Sequence, residues 1–234
     1  RIPAAFCGLT GFKPTARRVS RQGAVPLSTS LDSVGPIAPT VACCAMLDAI
    51  LSGSGADVPA PASLEGLRLA VPTTLALDAM DATVAAAFKA ALARLSQAGV
   101  RISEIAVPEF AALAGINARG GFAAAEAWHW HRELIEREGD RYDPRVSVRI
   151  RRGKELSAAD YIDLLEARAA WIAAVEARIA PFDALIMPTV PVIAPKLAEL
   201  EADDAHFATA NLLVLRNATL INFLDGCALS LPCH

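Results

Sequence analysis

The sequence predicts an α/β protein: helices alternate with a few short apolar strands, an order that builds a sheet with helices packed against it. Three observations carry the prediction. Leu67-Arg68-Leu69-Ala70-Val71 reads as a strand, a helical period runs from about Asp81 to Gln97, and Ile102, Ile105 and Val107 mark a second strand, which together make a βαβ unit with parallel strands. Ala184-Leu185-Ile186-Met187 is a further apolar strand, stopped by Pro188. Two long stretches, 157–179 and 205–224, keep helical spacing.

Taken in order, residues 1–40 are rich in Gly, Pro, Ser and Thr, with short apolar pieces at 8–15 and 23–27. They have no helical period and no strand long enough to stand alone, so extended, turning chain laid against something larger is expected. Val41, Ala45, Leu47 and Leu51 fit a short helix capped by Thr40 and ended by Ser52-Gly53. Residues 54–66 read as a Gly, Ala and Pro linker between an N-terminal part, 1–53, and a larger part, 67–234. Asp81 is placed to cap the next helix, whose expected face is Val84, Phe88, Leu92 and Leu95, and Gly99 stops it. Residues 109–180 are mainly helical; Ser157 and Asp160 are spaced as a cap, and Ile162, Leu165, Ala169, Ile172 and Ile179 form the expected stripe. Thr189 to Pro195 is a proline-guided loop, and Phe207, Leu212, Leu215 and Ile221 mark the last helix.

Composition narrows the function. The 234 residues carry 22 Lys+Arg against 25 Asp+Glu, a balance that argues against a nucleic-acid platform. Local positive patches at Arg17, Arg18 and Arg21 and at Arg149, Arg151 and Arg152 lack interleaved aromatics and read as solvated or internally paired. The apolar fraction is 54%, but alanine adds little to a core and charges, Pro or Gly break every candidate membrane run, so a protein free of the membrane is expected. Five cysteines, an odd number without metal spacing, suggest reduced thiols in a cytoplasmic protein.

Chemistry read directly from residue types is sparse. His129 and His131 flank Trp130 and point apart on a helix; His129 with Glu126 or Glu133 is the one metal geometry on offer, and a surface or interface role is favoured for it. His206 lies in a charged stretch and His234 at the end of the sequence, so no metal is expected. Glu136 with Glu138 and Asp203 with Asp204 read as solvated pairs, not as an acid/base couple. No phosphate-cradling glycine loop occurs, and no cofactor is expected. Lys13 among Ser20, Ser28, Ser30 and Ser33 has the residue types of a lysine-activated serine, but no spacing joins them.

Both ends read as cut. The sequence starts on Arg1 and stops just after an apolar run that looks like a buried strand, so an internal piece of a longer polypeptide is expected.

The stretch Arg1-Ile2-Pro3-Ala4-Ala5-Phe6-Cys7-Gly8-Leu9-Thr10-Gly11-Phe12-Lys13-Pro14-Thr15 resembles the segment that follows the catalytic serine in the amidase signature family, and Leu31-Asp32-Ser33-Val34-Gly35-Pro36-Ile37-Ala38 resembles its continuation. The likeness runs on through Leu67 to Pro72, Asp183 to Thr189, Ala194-Pro195, Arg216-Asn217, Asn222 and Leu231-Pro232-Cys233. It implies one partial domain over 1–234, with 1–53 part of the signature core, and a central mixed β-sheet flanked by helices on both sides, incomplete in this chain. It also implies an amidohydrolase with a Ser, cis-Ser, Lys triad that cleaves a carboxylic amide to carboxylate and ammonia or amine through an acyl-enzyme.

On that resemblance all three triad members precede Arg1, the nucleophile by two residues, and the chain holds no catalytic residue of its own. Arg1, Pro3, Cys7, Gly8 and Asp32 would support the nucleophile loop, with Asp32 the partner expected for Arg1. Ile2, Met187, Thr189, Arg216 and Asn222 would approach the substrate pocket. Ala38-Pro39-Thr40 and Cys43-Cys44 depart from the family pattern in local packing, and Ile2, where relatives carry Arg or Gln, points to a less polar acyl group. A small-molecule amide is the expected partner, without nucleic acid or membrane and with homodimerisation open. The alternatives are the A subunit of a tRNA-dependent amidotransferase and a non-catalytic remnant of the fold. The chain alone is expected to be inactive and poorly folded.

Overall fold

The computed structural model describes residues 1–55 and 60–233; the middle of the expected 54–66 linker and His234 lie outside the described residues. Strands and helices alternate as an α/β fold with β-structure of mixed direction, helices lying against it. Among the described residues the strands form two three-stranded groups. One is antiparallel, in the order β2-β1-β6, from β1 (Thr10–Lys13), β2 (Ile37–Ala38) and β6 (Ala228–Ser230). The other is parallel, in the order β4-β3-β5, from β3 (Arg68–Pro72), β4 (Arg101–Ile105) and β5 (Ala184–Leu185).

The expected βαβ unit is present. Arg68 stands opposite Arg101 and Pro72 opposite Ile105, with α3 (Ala82–Gln97) as the crossover. Asp81 caps α3 by accepting from Val84 N at 2.7 Å, and Gly99, at φ +90°, turns the chain out of it. The strand expected over 184–187 shortens to β5, because Ile186 N still donates to Ala70 O but Pro188 has no N–H to continue the ladder.

Residues 1–8 depart from the extended chain expected of them. Ile2–Phe6 form a short helix, α1, with Pro3 in its first turn, where a missing N–H costs nothing. Gly8, at φ +64°, leads the chain from α1 into β1. A Cβ on Gly11 would lie 2.6 Å from the Ala4 Cβ, so glycine lets α1 sit directly on β1.

The other helices are α2 (Val41–Ser52), α4 (Glu109–Ile116), α5 (Gly121–Glu138), α6 (Pro144–Arg151), α7 (Ala158–Ile179), α8 (Leu197–Ala202) and α9 (Asp204–Phe223). Thr40 caps α2 through Cys43 N, and Ser157 with Asp160 makes a reciprocal capping box on α7.

The faces these helices bury differ from the stripes expected of them. On α7 the buried residues are Leu164, Trp171 and Val175, while Ile162 and Leu165 are exposed. On α9 they are Asn217, Leu220 and Phe223, while Leu212 and Leu215 are exposed. The buried faces carry polar groups that find partners inside, which an apolar count passes over. Trp171 Nε1 donates to Glu109 O at 2.6 Å, and Arg168, on the same face of α7, donates to Phe223 O at 2.8 Å. The expected face of α3 is only half-buried. The main core joins Phe110, Phe122, Trp171, Val175, Leu220 and Phe223, with Trp171 edge-on to Phe223 at 5.3 Å between ring centres.

Candidate active site

A cavity of about 710 Å³ opens between the two strand groups. One wall is β5 with the chain that follows it to Thr189; the other is Phe12 and residues 226–229 leading into β6; the last turns of α9 form the back. The walls meet where Thr189 Oγ1 and Ser230 Oγ lie 2.8 Å apart. Arg1 also lines the cavity, held there by the seat of α1 on β1.

Arg1 Nη2 donates to Ala218 O on α9 at 2.9 Å. Burial lowers its pKa to about 10, still a cation near neutrality. Its partner is not the Asp32 expected from the sequence. The Asp32 carboxylate instead accepts from Leu27 N at 2.9 Å and Ser28 N at 3.0 Å, because an aspartate can satisfy nearby backbone donors without crossing the molecule.

Among the remaining expected site residues, Met187 and Thr189 line the cavity and Ile2, Arg216 and Asn222 do not. Ile2 is half-buried in α1. Arg216 turns away to the loop after β3, donating to Asp78 O at 2.7 Å and Ala76 O at 3.1 Å. With about 100° per helical residue, Asn222 falls off the stripe of Asn217, Ile221 and Leu224 that faces the cavity. Pro3 and Cys7 are exposed at the two ends of α1, and Gly8 follows them.

Asn217 lies within the stretch from Arg216 to Asn222 expected near the pocket, though it is not singled out there. It is 2% exposed, and its Nδ2 donates to Ala76 O at 2.9 Å and Pro188 O at 2.8 Å, tying the loops that follow β3 and β5 to α9. An asparagine inside an apolar helix, where its own backbone competition makes it unfavourable, is the signal that marks it. Lys13 is buried beside the cavity. Its Nζ donates to Pro14 O at 3.0 Å and Gly226 O at 3.1 Å, and burial lowers its pKa; among the described residues no serine is a hydrogen-bond partner of it.

Outside the cavity lining, Glu126 on α5 gathers the 28–30 segment. Ser28 Oγ donates to one carboxylate oxygen at 2.5 Å and Ser30 N to the same oxygen at 2.9 Å, while Ser30 Oγ and Tyr161 Oη donate to the other at 2.5 and 2.6 Å. Burial alone would raise this carboxyl pKa, but the four donors hold it below the ordinary value. Glu126 is therefore fully engaged, and His131 bonds Tyr142 Oη and Pro26 O. Among the described residues no group of three or more His, Cys, Asp or Glu is arranged to hold a metal, and no helix is long and apolar enough to cross a membrane.

The chain matches the family model described as Amidase over residues 1–234. It is 34% identical over 234 residues to a 2-amino-5-chloromuconic acid deaminase of Comamonas testosteroni, covering 99% of this chain and 50% of that protein. It is 32% identical over 269 aligned positions to the A subunit of the glutamyl-tRNA(Gln) amidotransferase of Halobacterium salinarum, covering 99% of this chain and 62% of that protein. A solved structure described as an amidase superposes with a TM-score of 0.82 at 26% identity, covering 99% of this chain and 52% of that one. The chain thus spans about half the length of the curated relatives it matches.

Proposed function

Because this chain belongs to the amidase family, with its serine-nucleophile hydrolases, we propose that it is the distal half of a serine amidase whose Ser, cis-Ser, Lys triad precedes Arg1. The observation that carries this reading is the place of Arg1 on the cavity wall. Two residues of extended chain reach at most about 7 Å, so a serine two positions before Arg1 is within reach of the cavity. There its hydroxyl attacks an amide carbonyl, the lysine and cis-serine carry its proton to the leaving nitrogen, and water hydrolyses the acyl-enzyme.

In this reading the chain builds the pocket and holds the nucleophile loop. Arg1 anchors that loop to α9 through Ala218 O, and Pro3 and Gly8 fix the two ends of the helix it enters. Asp32 orders the 27–32 segment, and Cys7 closes α1. Met187, Thr189 and Asn217 shape the wall that faces the acyl group. Arg216 acts at one remove, by bracing the loop after β3. The substrate class in this reading is a small-molecule carboxylic amide, cleaved to carboxylate and ammonia or amine.

The test is ammonia release from simple amides by the polypeptide carrying its upstream residues, with and without alanine at the serine two positions before Arg1. Turnover is expected to fall on the order of a thousandfold or more in the variant. Full activity of that variant, turnover by the 234-residue chain alone, or ammonia release that requires glutamine and partner subunits would overturn the reading.

A further inference from the structure

The last turn of α9 gives three of its carbonyls to the backbone that follows and a fourth to a side chain. Leu220 O accepts from Leu224 N, Ile221 O from Gly226 N and Asn222 O from Asp225 N, each at 3.1 Å. Phe223 is 1% exposed, and among the described residues no backbone N–H reaches its carbonyl; Arg168 Nε supplies the bond at 2.8 Å. The chain that continues from this carbonyl, residues 224–229, lines one side of the cavity. A buried carbonyl deprived of its donor is costly, so Arg168 is where that wall is attached to α7.

The same guanidinium has a second hold. Its Nη1 donates to Ser30 O at 3.2 Å, and Ser30 presents its N–H and its hydroxyl to Glu126. Ser30 is thus gripped by a cation on its acceptor side and by a carboxylate on its donor side, which links α5, α7 and the end of α9. Aromatic rings keep the guanidinium in place: its central carbon lies 5.4 Å from the centre of the Phe122 ring and 5.5 Å from that of Phe223. A planar fork of N–H groups can serve two carbonyls at once, whereas a lysine ammonium keeps the charge without the fork.

Arg168 does not itself line the cavity, so it acts on a bound substrate only through the wall. In the hydrolase reading the nucleophile loop has a separate anchor, because Arg1 is bonded to Ala218 O, more than a turn earlier in α9. Loosening Arg168 shifts the wall and leaves that anchor intact. Substrate binding then suffers before bond breaking does.

We propose that Arg168 is a positioning residue for the hydrolysis, whose guanidinium fixes the wall of residues 224–229 against the Ser30–Glu126 pair and thereby sets the fit of the substrate. The inference rests on the amide-hydrolase reading and adds to it a residue outside the cavity.

The test uses the polypeptide with its upstream residues and measures kcat and KM separately for straight-chain amides from acetamide to hexanamide. R168M keeps an apolar body against the two rings without a donor, and R168K restores the charge and one hydrogen bond. KM is expected to rise roughly fivefold or more in R168M and less in R168K, with kcat within about twofold of the wild type. A residue that only keeps the protein folded would instead change the fraction of active molecules, which lowers kcat and leaves KM alone. S157A loosens the start of the same helix without touching either carbonyl and should leave KM unchanged. Should R168M fail to fold, R168K alone decides.

An unchanged KM in the Arg168 variants, whatever happens to kcat, overturns the inference, as does an equal rise in S157A; the hydrolase reading stands in both cases. If the wild type releases ammonia from no simple amide, it is the hydrolase reading that fails, and amide hydrogen exchange decides for Arg168. Exchange at Leu224, Asp225 and Gly226 that quickens roughly fivefold or more in R168K and not in S157A supports the anchoring of the wall. Equal rates overturn it.

Discussion

Glu126 shows how a single buried side chain ties distant segments together. It is 7% exposed and accepts four hydrogen bonds from Ser28, Ser30 and Tyr161, so the 28–30 segment, α5 and α7 share one carboxylate. Its pKa is held below the ordinary value, which gives the pH dependence a definite sign. The stabilisation is complete above the pKa of an unfolded glutamate and is lost as pH falls through the lowered native value. E126Q should therefore cost about 1–3 kcal/mol at neutral pH and flatten the acid limb of the stability profile, read by urea unfolding at a series of pH values. None of this was legible in the sequence, where Glu126 stood beside His129 as a metal geometry. The donors it meets lie far away along the chain, and only the fold brings them together. Asp32 missed its expected partner for the opposite reason: backbone donors a few residues away were within reach at less entropic cost than a distant arginine.

At the level of elements, local chemistry was readable and facing was not. Thr40, Asp81 and Ser157 cap their helices as their residue types imply, and Gly53 and Gly99 end two of them in left-handed turns. A cap depends on four or five neighbouring residues, so it can be recognised in isolation. Substituting Ser157 by Ala removes the hydroxyl arm of the α7 capping box while leaving its backbone N–H on Asp160, and should cost about 1 kcal/mol, with α7 amides near its start exchanging faster with solvent. Which face a helix buries depends on its neighbours. On α7 the true face includes Tyr161 and Arg168, whose polar tips reach Glu126 and Phe223 O while their bodies join the core. α1 escaped notice because five residues carry no period, and its existence depends on the small contact of Ala4 with Gly11.

At the scale of the molecule, the order of alternating helices and strands identified the fold class, and the cavity between the strand groups places its candidate site. The apolar faces that the helices leave outward have a consequence of their own. Val41, Met46, Leu47, Ile50 and Leu51 on α2 are each at least 40% exposed. Contiguous apolar surface of this kind drives association in water. The isolated chain should therefore self-associate with rising concentration, and the double substitution I50E/L51E should raise the monomer fraction in sedimentation velocity. An unaltered distribution would place the association elsewhere.

The pairing of β1 with β6 sets Gly11 opposite Ser230, near the two ends of the chain. Of the strand pairings among the described residues this one spans the greatest length of chain, so it costs more loop entropy to close than the contact of β1 with β2 or the parallel pairing of β3 with β4. A refolding chain is therefore expected to assemble those local pairings first, and the cavity to gain the wall that leads into β6 last.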